Sequence, residues 1–143
     1  MKQIKRWRYY CDFCKKAGGS KGHIIRHEKS CTLNPNRICN VCLSLLEVEQ
    51  KSISQLLEIL PDGRNFIEEE IAGMISYGTL GKEVEKHMPK LRELTENCPA
   101  CIMAALRQAG IPVPMVESFN FTKEMKSIWA DINDANAQIM YYG

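Results

Sequence analysis

No stretch of this chain stays apolar for anything near the roughly 20 residues that a membrane-spanning helix needs. The charged start, Met1-Lys2-Gln3-Ile4-Lys5-Arg6-Trp7, is not followed by the apolar segment of a secretory signal. No membrane role is expected, and the expected location is an intracellular, reducing compartment, cytoplasm or nucleus. The marks of catalysis are missing as well. There is no carboxylate pair suited to acid–base work, no Ser/His/Asp set, no Gly-rich phosphate loop and no H-E-x-x-H. Histidine is scarce: His23, His27 and His87 are all there is. His27-Glu28 has no second histidine at the required spacing, and His87 reads as a surface or capping residue. Glu68-Glu69-Glu70 reads as the solvated face of a helix. The protein is therefore expected to be no enzyme, with an accessory-subunit role as the variant of that reading.

What is present is an uneven distribution of charge. Residues 1–40 hold ten Lys/Arg against two Asp/Glu, whereas residues 41–143 hold nine against fifteen. The +2 of the whole chain thus conceals a basic end on an acidic body. Phosphate backbones are the commonest partners of such a surface, and an acidic protein face is the other.

Cysteine is abundant. Seven occur, as Cys11-x2-Cys14, Cys31, Cys39-x2-Cys42 and Cys98-x2-Cys101. An odd count argues against a secreted disulfide framework and for metal thiolates. Seven cysteines plus His27 make eight ligands, the number two closed tetrahedral sites require. The first expected site is Cys11, Cys14, His27 and Cys31, with the ion gripped by a C-x2-C turn and by two ligands four apart on a helix. The second is Cys39, Cys42, Cys98 and Cys101, each pair at the start of an expected helix, where free N–H groups favour thiolates. Two zinc ions are the expected cofactors, with an iron–sulfur cluster as the lesser alternative at the second site. Other partitions stay open: Cys98-Pro99-Ala100-Cys101 as a redox dithiol, Cys11/Cys14 joined to Cys39/Cys42, or His23 competing with His27.

Residues 9–31 resemble the C2HC variant of the zinc-finger family. Cys11-x2-Cys14-x12-His27-x3-Cys31 is its ligand spacing, Tyr9 stands where it keeps an aromatic, and Ile24 where it keeps a core leucine. The departure is Gly18, in the place of a core phenylalanine, so Tyr10 or Phe13 is expected to fill the small core. The resemblance implies a ββα module whose outward helix positions, Ser20, His23 and Arg26, read bases. Lys15, Lys16, Lys21 and Lys29 would reach phosphates, with Arg6 and Arg8 beside Trp7, Tyr9 and Tyr10 suited to stacking. The function expected is a nucleic-acid-binding (DNA or RNA) or regulatory protein. The alternative is a protein–protein adaptor or structural component held together by its zincs.

Periodicity makes the remainder mainly α-helical, a small α+β zinc module plus a helical bundle, with about five helices and one short hairpin near Trp7–Phe13. The first helix spans about Ser20 to Ser30, capped by Ser20. One stripe runs from Leu43 to Leu60 and stops at Pro61-Asp62-Gly63. A second covers Phe66 to Ile75. A third covers Val84 to Leu94, with Pro89 kinking or restarting it. The last of the body spans Cys98 to Ala109. The expected division is a finger module (1–38), a helical body (39–110), an extended linker (111–121) around Ile111-Pro112-Val113-Pro114, and an amphipathic helix (122–143). That helix carries Met125, Ile128, Trp129, Ile132, Ala135 and Ile139 on one face and Glu124, Lys126, Asp131, Asp134 and Gln138 on the other. Its stripe completes the core, or docks on a protein partner or a second copy with Trp129 as the anchor.

Overall fold

A computed structural model describes residues 1–71 and 73–142; the side chains of Glu69, Glu70, Ile71, Gln138, Ile139, Met140, Tyr141 and Tyr142 lie outside the described residues. The chain is mainly helical, with a two-stranded antiparallel hairpin near its start. In that hairpin β1 (Tyr9–Tyr10) pairs with β2 (Ala17–Gly18), so the partner strand lies beyond the C-x2-C turn. Helix α1 (Lys21–Ser30) follows at once. Ser20 caps it by accepting the His23 N–H at 3.3 Å, which satisfies one of the four donors a helix start leaves free.

The expected long helix over Leu43–Leu60 is divided in two. A π-helical turn, Val41–Leu46, ends where Glu47 adopts a left-handed backbone with φ 52°. Helix α2 (Ile53–Leu57) restarts at Ser52 through a capping box with Gln55. The apolar stripe divides accordingly: Ile53, Leu56 and Leu60 are buried, while Leu43 faces solvent. A 3-10 turn, Gly63–Phe66, follows.

The helix expected over Phe66–Ile75 is instead a second hairpin, β3 (Glu68–Ile71) with β4 (Met74–Ser76). The run of glutamates therefore lies on a strand. β-Branched Ile67, Ile71 and Ile75 favour extended backbone, and Gly73, at φ 78°, supplies the turn. Ile67, Met74 and Ile75 are exposed, so no core selects helix here.

Helix α3 (Leu80–Thr95) runs through Pro89, which does not restart it and which sits on the exposed side. Leu80, Val84, Met88 and Leu91 form its buried stripe. Glu96 and Asn97, at φ 51° and 59°, then turn the chain into α4 (Pro99–Gln108), with Pro99 in the first turn, where a missing N–H costs nothing. Helix α4 is the centre of the body and touches α2, α3 and α5. Ile102, Ala104, Ala105 and Leu106 have no exposed surface, and the alanines let neighbouring helices approach closely.

The stretch expected as an extended linker is packed. It contains a 3-10 turn, Val113–Met115, and places Ile111, Val116 and Phe119 in the core. Helix α5 (Phe121–Tyr142) is tied down at its start by a bidentate pair, Arg92 Nη1 to Glu124 Oε1 at 2.6 Å and Nη2 to Oε2 at 3.3 Å. Met125, Ile128 and Ile132 are half-buried, while Trp129 and Ala135 are exposed. No helix among the described residues is long and apolar enough to cross a membrane.

Candidate metal centres

Folding brings the eight expected ligands into two groups of four, Cys11/Cys14/His27/Cys31 and Cys39/Cys42/Cys98/Cys101, with the ligand atoms of each group within 4.8 Å of one another. The other partitions are not formed. Cys39 and Cys42 meet Cys98 and Cys101 rather than Cys11 and Cys14, and His23 stands exposed outside the first group.

The first group hangs on the hairpin and α1. Cys11 and Cys14 lie on the turn after β1, where the Phe13 N–H donates to Cys11 Sγ and the Lys16 N–H to Cys14 Sγ, each at 3.4 Å. His27 and Cys31 project from the last turn of α1 and its cap, and Cys14 Sγ lies 3.2 Å from His27 Nε2. Burial, then the charges of Lys16 and His23, lower the His27 pKa, which favours the neutral ring that a ligand needs. At Cys14 burial pushes the thiol up, but the Lys16 N–H and the thiols of Cys11 and Cys31 outweigh it and leave it lowered. Behind the ligands Ile24 is the buried side chain, 3.8 Å from where a Cβ on Gly18 would stand. Tyr10 and Phe13 do not fill this core, being 64% and 40% exposed. With one isoleucine as its interior, the module has too little apolar surface to fold without the ion.

The second group is fully interior. Cys39 and Cys42 stand at the π-helical turn, and Cys98 and Cys101 cap and enter α4. Cys39 Sγ is 3.5 Å from Cys98 Sγ, and Cys42 Sγ is 3.5 Å from Cys101 Sγ. A disulfide needs about 2.05 Å. Four thiolates at about 2.3 Å from a shared ion stand about 3.8 Å apart, close to what is found.

Protonation supports the same reading. Hydrogen bonds from Cys101 and Cys98 hold the Cys39 thiol far below its ordinary range. Burial, followed by Cys98, pushes Cys42 up to about 12, and the same bonds to Cys39 and Cys98 raise Cys101. Cys98 is raised as well, so the thiols other than Cys39 hold their protons more tightly than a free cysteine does. A divalent cation is what would ionise the others.

Arg37 adds the remaining charge. Its side chain is 6% exposed, with Nε donating to Ser30 O at 3.4 Å and Nη1 lying 4.0 Å from Cys101 Sγ. No carboxylate among the described residues pairs with it. A buried guanidinium without a carboxylate favours another anion, and with a cation bound at the four-cysteine group the Cys101 thiolate would supply one. Gln50 completes the arrangement, accepting the Cys39 N–H at 2.5 Å and donating to Arg37 O at 2.7 Å. The sequence held little sign of either residue beyond the position of Arg37 two before Cys39.

The two groups are joined. Gln108 Nε2, at the end of α4, donates to Thr32 O at 2.9 Å and Asn34 O at 3.0 Å, and Arg107 Nη1 donates to Thr32 Oγ1 at 2.5 Å. Arg6, Arg8, Lys15, Lys16, Lys21, His23, Arg26 and Lys29 are all exposed on or beside the first module, along with Trp7 at 84%. Compared with known proteins, the chain matches no family model, no curated protein and no solved structure.

Proposed function

We propose that this is a non-enzymatic protein that holds two structural zinc ions and binds nucleic acid through its basic first module, a finger of the C2HC type. Zinc suits both donor sets, since three thiolates with one imidazole, or four thiolates, in tetrahedral array are its structural environments. All four sulfurs of the second site lie within 4.8 Å of one another, which leaves room for one ion. A cluster with its own bridging sulfides holds its cysteines further apart. Four protein ligands close each site, leaving no position for a substrate.

The observation that carries the nucleic-acid reading is the exposure of eight cationic or imidazole side chains together with Trp7 around one small metal-held module. Such a surface attracts phosphates through counterion release and offers aromatic faces to bases. Fluorescence anisotropy with a labelled oligonucleotide tests it. The expected result is a log Kd that rises linearly with log salt, and weaker binding in the Lys15→Ala/Lys16→Ala variant. No binding at low salt, with a protein partner recovered instead, would favour the adaptor reading. Elemental analysis should give two zincs per chain.

A further inference from the structure

The first module meets the body along a seam, and the seam opens into a surface depression of about 390 Å³ lined by Phe13, Leu33, Arg64, Arg107, Gln108 and Gly110. Resting on the nucleic-acid reading above, we infer that this depression continues the binding surface onto the body, and that the strand it takes is single. Phe13 and Leu33 come from the module side, Arg64 and Arg107 from a body whose sequence is otherwise acidic. A net-negative body that nevertheless places two arginines at the edge of the basic module extends one positive surface across the junction.

Both guanidiniums are exposed. Arg64 pairs with Asp62 at 3.2 Å, both side chains about half exposed or more, and such a pair holds its partners weakly enough for a phosphate to compete. The other Arg64 contact, Nη2 to Gln108 O at 3.0 Å, aims the guanidinium along the seam. Gly110, at φ 74°, forms part of the floor and lies against the Arg64 stem. Phe13 is 40% exposed beside these cations. An open aromatic face among cations suits an unstacked base, which a duplex keeps inside its own stack. On the module itself, a second concavity formed by Arg6, Trp7, Arg8, Tyr9 and Gly19 likewise combines arginines with aromatic side chains.

The test is anisotropy on the zinc-loaded full chain, with a fluorescein-labelled single-stranded 12-mer of mixed sequence and the same sequence as duplex. Arg107→Ala and Arg64→Ala should each weaken single-strand binding about fivefold at roughly 0.1 M salt, the loss of one phosphate contact at a salt slope of about 0.7. Arg107→Lys should restore both affinity and slope, and Phe13→Ala should weaken the single strand more than the duplex. Thr32→Val removes the Arg107 bond that docks the module yet keeps the charge, so its affinity should match wild type. If Thr32→Val weakens binding as much as Arg107→Ala, the arginine acts by holding the module and the inference is overturned. Wild-type affinity in both arginine variants, alongside a loss in Lys15→Ala/Lys16→Ala, overturns the seam and leaves the module's own surface standing. Equal affinity for the duplex, unaffected by Phe13→Ala, overturns the single-strand assignment. A wild-type protein that binds neither probe overturns both this inference and the reading beneath it.

Discussion

At the scale of single residues, one buried charge and one close backbone contact make specific demands on the fold. Arg37 is held between the last turn of α1 and the four-cysteine group, with Cys101 Sγ beside its guanidinium. Arg37→Met should retain the side chain's bulk but leave the thiolates uncompensated. We expect the second site to release its ion to a chelator at least tenfold faster while the first site is little changed, read by zinc release to a chromogenic chelator. Equal release rates in variant and wild type would refute the pairing. Gly63 makes a different demand. Its N–H donates to Ala109 O at 2.8 Å, and a Cβ at this position would collide with the Gly110 carbonyl, whose carbon would be 2.7 Å away. Backbone cannot swing aside as a flexible side chain does, so Gly63→Ala should cost about 1–3 kcal/mol in thermal or urea unfolding.

Among the elements, α4 and the segment after it organise the body. The apolar stripe of α5 was consistent with core or with interface, and the structure divides it. Its first half is fixed by the Arg92–Glu124 pair and by half-buried Met125 and Ile128, while Trp129 is 48% exposed. Val116 and Phe119 lie in the core ahead of it. Truncation after Pro114 therefore removes two buried side chains as well as the helix. The truncated chain should lose cooperative unfolding by circular dichroism, since burying a Val or Phe side chain stabilises by about 1.5–3 kcal/mol each. A fragment that melts cooperatively near the wild-type temperature would show that the core does not depend on these residues.

For the molecule as a whole, two metal groups of unequal exposure imply two unequal stabilities. Cys14→Ser should unfold the first module while most of the helical signal remains. Cys101→Ser should lower the melting temperature of the entire body, because its site ties the π-helical turn to α4. Acid should separate the sites too. Metal binding displaces protons from thiols, among them Cys42 at about 12, so affinity falls as pH falls. His27 sharpens this at the first site. Its pKa is lowered on folding, so the unfolded chain binds more protons, and that contribution is full above about 6.5 and lost as pH drops through the folded value. Solvent also reaches Cys14 and His27, both only partly buried. The first site should release its ion at a higher pH than the second, observed as two steps in zinc release during acid titration. A single step would show the sites to be coupled.

The sequence by itself determined which residues could be ligands, because C-x2-C turns and an i, i+4 pair are local geometry. It also determined α1 through its Ser20 cap, and α3 and α4 through the apolar stripes that lie within their own spans. The joining of Cys39/Cys42 to Cys98/Cys101 was suggested by ligand count, but their proximity came from packing, with 55 residues folded between the pairs. Where local and global preferences diverged, tertiary structure decided. The Leu43–Leu60 stripe could not remain one helix, because Glu47 turns the chain just after the metal ligands and Ser52 caps a fresh start. Phe66–Ile75 had helical spacing, but Ile67, Met74 and Ile75 are exposed, and with no continuous core face to bury there, β-branched backbone preference prevailed. Ile111–Phe119 looked like a linker because prolines interrupt it, yet α4 offered an apolar surface that its three large side chains cover. Arg37 could be placed only by the fold. A charge becomes a partner to distant sulfurs only when packing excludes the water that would otherwise solvate it.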